Sequence, residues 1–164
     1  MNAVQSVFSN LFGMFPIDFF VIAIVLIVAA LDAFRNGTRR AAVFALAAPL
    51  AIFLYEASFK TAFIAGTLLS LNSITKAAFF GAIFVFLGIL LYRIVPASFG
   101  SGALPVQGLA AGLAVAIVLP VVWLQIPALV SLWTLSPMIQ TIFGPAYRVF
   151  WLLGAYLALA FVRR

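Results

Sequence analysis

A long apolar stretch followed directly by a basic turn is the feature that most restricts the fold of this chain. Residues 16–34 contain only two charged side chains, Asp18 and Asp32, one near each end. The segment 35–40 then carries three arginines and leads into a second apolar run. About 20 apolar residues cross the hydrocarbon core of a bilayer, and short loops rich in Lys and Arg stay in the cytoplasm. The pattern therefore predicts two membrane helices joined by a short cytoplasmic turn.

The composition of the whole chain agrees with a membrane protein. Hydrophobic residues make up 67% of it and charged residues 7%, and the mean hydropathy is +1.30, which is far from the values of soluble domains. Cysteine and histidine are absent, which excludes disulfides, thiolate or imidazole metal sites and histidine catalysis. The net charge of +6 arises at helix ends, so membrane topology explains it and nucleic acid is not an expected partner.

The apolar runs predict one all-α domain, a polytopic membrane helical bundle that occupies residues 1–164. Five spans are expected, at 16–34, 41–55, 77–92, 108–124 and 145–162. With the N-terminus outside, five spans place six of the nine Lys and Arg residues in the cytoplasm. A sixth span at 61–75 would make the split five against four, so the rule of positive cytoplasmic loops favours five.

Three further segments are expected to form short amphipathic helices at the membrane surface. Residues 2–12 have apolar positions at helical spacing, and the alternative is a frayed tail. Residues 61–75 are too polar for a comfortable span and too apolar for a free loop, which indicates an interfacial or re-entrant helix. In 126–140 the apolar residues share one helical face, and Ser136-Pro137 is typical of a helix start.

Small residues predict where helices approach closely. Gly108, Gly112 and Ala116 are four residues apart on one face of the fourth predicted span, a spacing that permits close backbone contact in membranes. We expect these contacts inside one chain in preference to a dimer seam, and a homo-oligomer remains an open alternative.

Acidic residues are too few to indicate catalysis. Asp18, Asp32 and Glu56 are the only ones, and the first two lie about 21 Å apart along one helix. Paired-carboxylate chemistry needs two acids close together, and no histidine is present to act as a base. We therefore expect no enzyme, no catalytic residue, no metal site and no cofactor.

The charges nevertheless need partners at membrane depth. Arg148 is expected in the first turn of the last span, where the helix dipole opposes a cation, which predicts an acidic partner. Our hypothesis is an ion pair with Asp18, and the alternatives are Glu56 or simple snorkelling to lipid headgroups. Local pairs of Asp32 with Arg35, and of Glu56 with Lys60, are also expected.

The opening segment resembles the colicin V production protein family of bacterial membrane proteins. Ile17-Asp18 matches an Ile-Asp pair ahead of the first span in that family, and Gly37 with Arg39 and Arg40 matches a glycine in a basic first turn.

Two later segments continue the resemblance. Gly108–Gly112 resembles the glycine-rich entry into a later span, and Ser136-Pro137 resembles a Ser-Pro start near the C-terminus. An Asp-Arg pair before that glycine entry, and an acid soon after the basic turn, are family features that this sequence lacks. The family is usually described with four spans.

The resemblance implies a non-enzymatic protein of the bacterial inner membrane that supports colicin or toxin production or export and envelope homeostasis. Its expected partners are membrane lipids and other envelope or export proteins, with the N-terminus outside and the C-terminus in the cytoplasm. The alternative is a small transporter, channel or substrate-binding subunit for an apolar or amphiphilic solute. The candidate functional or structural residues are Asp18, Gly37, Arg39, Arg40, Glu56 and Arg148, with Gly108, Gly112 and Ala116 for helix packing.

Overall fold

The chain folds into a bundle of helices. A computed structural model describes residues 16–95 and 105–162, and within these ranges the regular structure is helical. The helices are α1 (Ile17–Asn36), α2 (Arg39–Lys60), α3 (Ala62–Ser70), α4 (Ser73–Ile94), α5 (Pro105–Gln125), α6 (Pro127–Val130), α7 (Pro137–Ile142) and α8 (Arg148–Val162). The surface helix expected at 2–12 lies outside the described residues.

Four of these helices are long and apolar enough to cross a membrane, namely α1, α2, α4 and α5. By length and composition the chain is therefore a membrane-embedded helical protein. The C-terminal helix α8, with 15 residues, is shorter than the four candidate spans. It begins at Arg148 and not at 145, because residues 143–147 form a turn after α7, in which the Tyr147 and Arg148 amides both donate to the Gly144 carbonyl.

Helix α5 lies at the centre of the bundle. It packs against α1, α2 and α8, while α4 packs mainly on α2. Along its apolar stretch 61% of the residues are buried, against 6% along α4. Its buried side chains are mostly small, which lets three neighbouring helices approach it closely; those below 2% exposure include Ala111, Ala114, Val118 and Val121.

The glycines of α5 form its contact with α1. A Cβ atom built on Gly112 would lie 2.8 Å from both the Ala30 Cβ and the Leu26 carbonyl oxygen, and one on Gly108 would lie 3.3 Å from the Ala30 carbonyl oxygen. Ala116, one turn further along, is buried at 4% exposure. The face that the sequence indicated as a packing surface thus contacts a helix of the same chain.

Polar residues extend two helices beyond their expected ends. Helix α2 continues past residue 55 to Lys60, and α4 begins at Ser73 instead of 77. The early start of α4 has a local cause, since the Asn72 side chain caps it by accepting a hydrogen bond of 2.8 Å from the Thr75 amide. The interfacial segment expected at 61–75 is therefore only the short helix α3 plus the first turn of α4.

The surface segment expected at 126–140, with a helix start at Ser136-Pro137, contains two short helices. Helices α6 and α7 are separated by residues 131–136. Ser136 and Pro137 do form the N-cap and first residue of α7, as their sequence indicates, but the Ser136 side chain makes no capping hydrogen bond.

Candidate functional sites at the two ends of the bundle

The charged side chains of the described residues lie at two opposite ends of the bundle. The arginine end consists of the α1–α2 turn and the end of α4, with Arg35, Arg39, Arg40 and Arg93. The lysine end consists of the end of α2, the start of α4 and the segment from α6 to the start of α8, with Lys60, Lys76 and Arg148.

At the arginine end, Arg39 joins α2 to α4. Its guanidinium carbon lies 4.1 Å from the centre of the Tyr92 ring, and the group also donates a hydrogen bond to the Tyr92 backbone carbonyl. Its Nε atom is buried without a hydrogen-bond partner in the described part of the chain. The forked guanidinium group of arginine can lie over an aromatic ring and donate to a nearby carbonyl at the same time, and the ammonium group of lysine does not reproduce this geometry.

We expect Arg39→Lys to destabilise the protein by about 1–2 kcal/mol, because the ammonium group does not make the ring contact and the hydrogen bond in the same geometry. The measurement is the free energy of unfolding in mixed detergent micelles, followed by circular dichroism. Arg35→Lys is the matched control, since Arg35 is exposed in the same turn region and should tolerate the change. Equal stabilities for the two variants would contradict the conclusion that Arg39 stabilises the contact between α2 and α4.

Arg40 forms an ion pair across the α1–α2 turn. Its Nη1 atom lies 2.9 Å from Asp32 Oδ1, which also accepts a hydrogen bond from Asn36 at 2.8 Å. The expected Asp32–Arg35 pair is therefore wrong, because the turn brings α2 back beside α1 and offers Arg40 instead. Gly37 makes this turn with a φ of 81°, a backbone conformation that favours glycine.

At the lysine end, Asp18 links α1 to the segment before α7. The residue is 4% exposed, and its Oδ2 atom accepts a hydrogen bond of 2.5 Å from the Ser136 amide. Asp18 Oδ1 and Ser136 Oγ are both buried without a hydrogen-bond partner among the described residues. Asp18 also lines an apolar cavity of about 190 Å³, with Trp123 and Trp133 on its wall.

Arg148 bonds to backbone carbonyls. Its Nη2 atom donates to the Leu124 carbonyl at 3.2 Å and its Nε atom to the Phe143 carbonyl at 3.4 Å. Leu124 lies at the C-terminal end of α5, where the helix dipole favours a cation. The hypothesis of an ion pair with Asp18 or Glu56 is therefore wrong, since within 16–95 and 105–162 the ion pair is that of Arg40 with Asp32.

We expect Asp18→Ala and Arg148→Ala to destabilise the protein additively, with a coupling below about 0.5 kcal/mol. The two side chains use different partners, so removal of one leaves the bonds of the other in place. A double-mutant cycle on the free energy of unfolding in detergent measures the coupling. A coupling above about 1 kcal/mol would contradict the arrangement of separate backbone contacts.

A second and larger cavity opens at the lysine end. Its volume is about 530 Å³. Its walls come from α2, α4 and the residues around α6, and they are Tyr55, Glu56, Phe59, Lys60, Ser73, Lys76, Gln125, Ile126, Pro127 and Ala128.

The charged residues of this cavity are not paired with each other. The Lys76 ammonium group donates to the Leu69 carbonyl at 3.2 Å. The ion pair expected between Glu56 and Lys60 does not form in the described structure. The sequence predicted a local partner for Lys60 and a topological role for both lysines, but no shared site. Their positions before and after the short helix α3 were the one sign that they could meet.

The described residues contain no group of three or more acidic, histidine or cysteine side chains that could hold a metal ion. Comparison of the chain with protein-family models, with curated proteins and with solved structures found no match. The resemblance to the colicin V production protein family stays a prediction.

Proposed function

We propose that this chain is a non-enzymatic protein of the bacterial inner membrane that supports colicin or toxin production or export and maintains the cell envelope. The resemblance of its opening segment suggests the colicin and envelope role. The non-enzymatic part rests on the use of the charged side chains, because ionisable groups in membrane segments usually mark function. Here Asp18, Arg39 and Arg148 each bond a backbone group of another segment, which favours a role in holding the helices together.

The proposed topology has five spans, with the N-terminus outside and the C-terminus in the cytoplasm. Helix α8 is the fifth span, and its packing along the central helix α5 supports this. The Tyr156 hydroxyl donates to the Ala45 carbonyl at 3.1 Å, so α8 runs beside α2 well inside the bundle. A helix of this length measures about 22 Å, and local thinning of the bilayer accommodates such a mismatch.

Single cysteines test this topology, because the chain contains no native cysteine. We expect a membrane-impermeant maleimide to label Phe63→Cys in intact cells, since Phe63 is 94% exposed at the lysine end. Arg35→Cys and Ala160→Cys should react only after the cells are broken. Labelling of Ala160→Cys in intact cells would contradict a fifth span, and labelling of Arg35→Cys there would reverse the proposed orientation.

Deletion of the gene in its host tests the envelope role. We expect the deletion strain to lose survival in a bile-type detergent, and a wild-type copy to restore it. Asp18→Ala and Arg39→Ala should restore it poorly, because each removes a contact between helices, whereas Asp32→Ala removes only an exposed ion pair and should restore it. Normal survival of the deletion strain would overturn the proposal.

A second candidate function is a small transporter or substrate-binding subunit for an amphiphilic solute. The observation in its favour is the cavity of about 530 Å³, which combines aromatic and charged walls at one end of the bundle. Purified protein in liposomes should then move a fluorescent amphiphile between leaflets faster than empty liposomes do. Equal rates would exclude a transporter and leave only a substrate-binding role.

A further inference from the structure

We propose that the cavity at the lysine end binds an anionic amphiphile. Its phosphate or carboxylate headgroup would lie between Lys60 and Lys76, and its hydrocarbon tail would lie against Phe59 and Pro127, which both line the cavity. This inference rests on the cavity of the second candidate function and names its ligand class. Binding does not require that the ligand crosses the membrane.

The charges on the cavity wall favour an anion. Lys60 and Lys76 both line it, and Glu56 is the one acid among its lining residues. None of the three takes part in an ion pair within the described ranges. Lys76 uses one of its three donors on the Leu69 carbonyl. The wall therefore presents a net positive charge with ammonium donors available to a headgroup.

The start of α4 adds to this positive potential. Ser73 is the first residue of α4 and lines the cavity, so the positive end of the helix dipole faces the same space as the lysines. Lys76 lies close to that end, where a cation is disfavoured. A bound anion would offset the repulsion between Lys76 and the helix terminus.

The apolar part of the wall distinguishes an amphiphile from a free inorganic anion. Tyr55 contacts Phe59 edge to face at 4.9 Å between ring centres, and Phe80 in the same way at 5.7 Å. Tyr55 and Phe59 of this aromatic cluster line one wall, and the exposed Pro127 lines another. The volume of about 530 Å³ lies within the roughly 300–1,000 Å³ of small-molecule sites, which is enough for a headgroup and part of a tail.

Lipid-dependent thermal stabilisation of the full chain in dodecyl maltoside tests the proposal. The probes are dioleoyl phosphatidylglycerol, dioleoyl phosphatidylcholine with the same tails, and inorganic phosphate. We expect phosphatidylglycerol to raise the melting temperature by several degrees, since a ligand that binds only the folded state stabilises it by mass action. Equal stabilisation by phosphatidylcholine would overturn recognition of the headgroup charge, and equal stabilisation by phosphate would overturn the role of the tail.

Matched charge variants locate the site. We expect Lys60→Gln with Lys76→Gln to weaken phosphatidylglycerol binding at least about tenfold, because two charge-assisted contacts are lost. Arg35→Gln with Arg93→Gln removes the same charge from the arginine end and should leave binding unchanged. The Lys60→Arg, Lys76→Arg variant keeps both positive charges and should retain most of the phosphatidylglycerol binding. Equal weakening in the lysine and arginine double variants would show unspecific charge attraction and overturn the site.

Both lysines are accessible enough for these substitutions, since Lys60 is exposed and Lys76 is half-buried at the surface. The single variants Lys60→Gln and Lys76→Gln, each expected to weaken binding about threefold, keep the test valid if the double variant does not fold. Failure of transport in liposomes would leave this proposal standing. Absence of stabilisation by phosphatidylglycerol would refute it while leaving transport of an uncharged amphiphile open.

Discussion

Replacement of Gly112 by leucine is expected to lower the free energy of unfolding by about 2–3 kcal/mol, through overpacking of the α1–α5 contact. Even a Cβ atom at this position would lie 2.8 Å from the Ala30 Cβ and from the Leu26 carbonyl oxygen. These atoms belong to the body of α1 and cannot rotate away, so the two helices must separate. Unfolding of the purified protein in mixed micelles, followed by circular dichroism, measures the loss.

Other glycines of the chain provide graded controls for this effect. A Cβ atom on Gly108 meets its nearest neighbour at 3.3 Å, and one on Gly154 of α8 meets nothing within 4 Å. We therefore expect the cost of substitution by alanine to fall in the order Gly112, Gly108, Gly154. A Gly112→Leu variant as stable as Gly154→Leu would contradict the close packing of α1 on α5.

Asp18→Ala is expected to cost about 2–3 kcal/mol, because hydrogen bonds to charged groups contribute more than neutral ones and their loss leaves a donor unsatisfied. The Ser136 amide loses its acceptor at 2.5 Å, and the segment before α7 loses its link to α1. Asp18→Asn keeps an acceptor oxygen for the Ser136 amide and should lower the free energy of unfolding by less than Asp18→Ala does. The same unfolding assay in micelles measures both variants.

Asp32→Ala is the control for this change, since it removes an aspartate of the same helix whose ion pair is partly exposed at the other end. Such surface pairs contribute at most about 1 kcal/mol. Equal decreases in the free energy of unfolding for the two variants would show that the buried bond of Asp18 to Ser136 stabilises the protein no more than the ion pair of Asp32.

The apolar runs were sufficient to predict a helical membrane bundle and the approximate position of the four long helices. The turn between α1 and α2 was also visible, because Gly37 stands among basic residues that neither helix can bury. The spacing of Gly108 and Gly112 indicated a packing face. It did not indicate which helix fills that face, since close approach requires small residues from one side only and α1 offers the plain backbone around Ala30.

The partners of the charged side chains were not predictable in the same way. Sequence reasoning pairs opposite charges, whereas Asp18 and Arg148 bond to the backbone at Ser136 and Leu124. Free backbone donors and acceptors occur at the ends of helices, and nothing in side-chain identity reports them. A free backbone group at a helix end can therefore take the place of an oppositely charged side chain as the partner of a charged residue.

The cavity at the lysine end was missed for a related reason. Its residues come from α2, α4 and the segment around α6, which are separated in the sequence and meet only because α4 returns beside α2. Lys60 and Lys76 are both consistent with membrane topology, and Lys60 also with a local pair to Glu56, so neither position by itself indicates a site. The two lysines line the same cavity because the short helix α3 connects the end of α2 to the start of α4.

Disulfide cross-linking in native membranes tests most directly that the bundle is built around α5. A Cβ atom on Gly108 lies 3.6 Å from the Phe34 Cβ, within the range of about 3.5–4.5 Å that a disulfide needs. On mild oxidation, the two cysteines of the Phe34→Cys, Gly108→Cys variant should form a disulfide within one chain. A thiol-reactive polymer should then attach to neither cysteine, and the protein should remain monomeric on a gel. Phe34→Cys with Gly154→Cys should keep both thiols reactive. Thiols that stay free in the first pair, or that react equally in the two pairs, would contradict the assembly of α1 on α5.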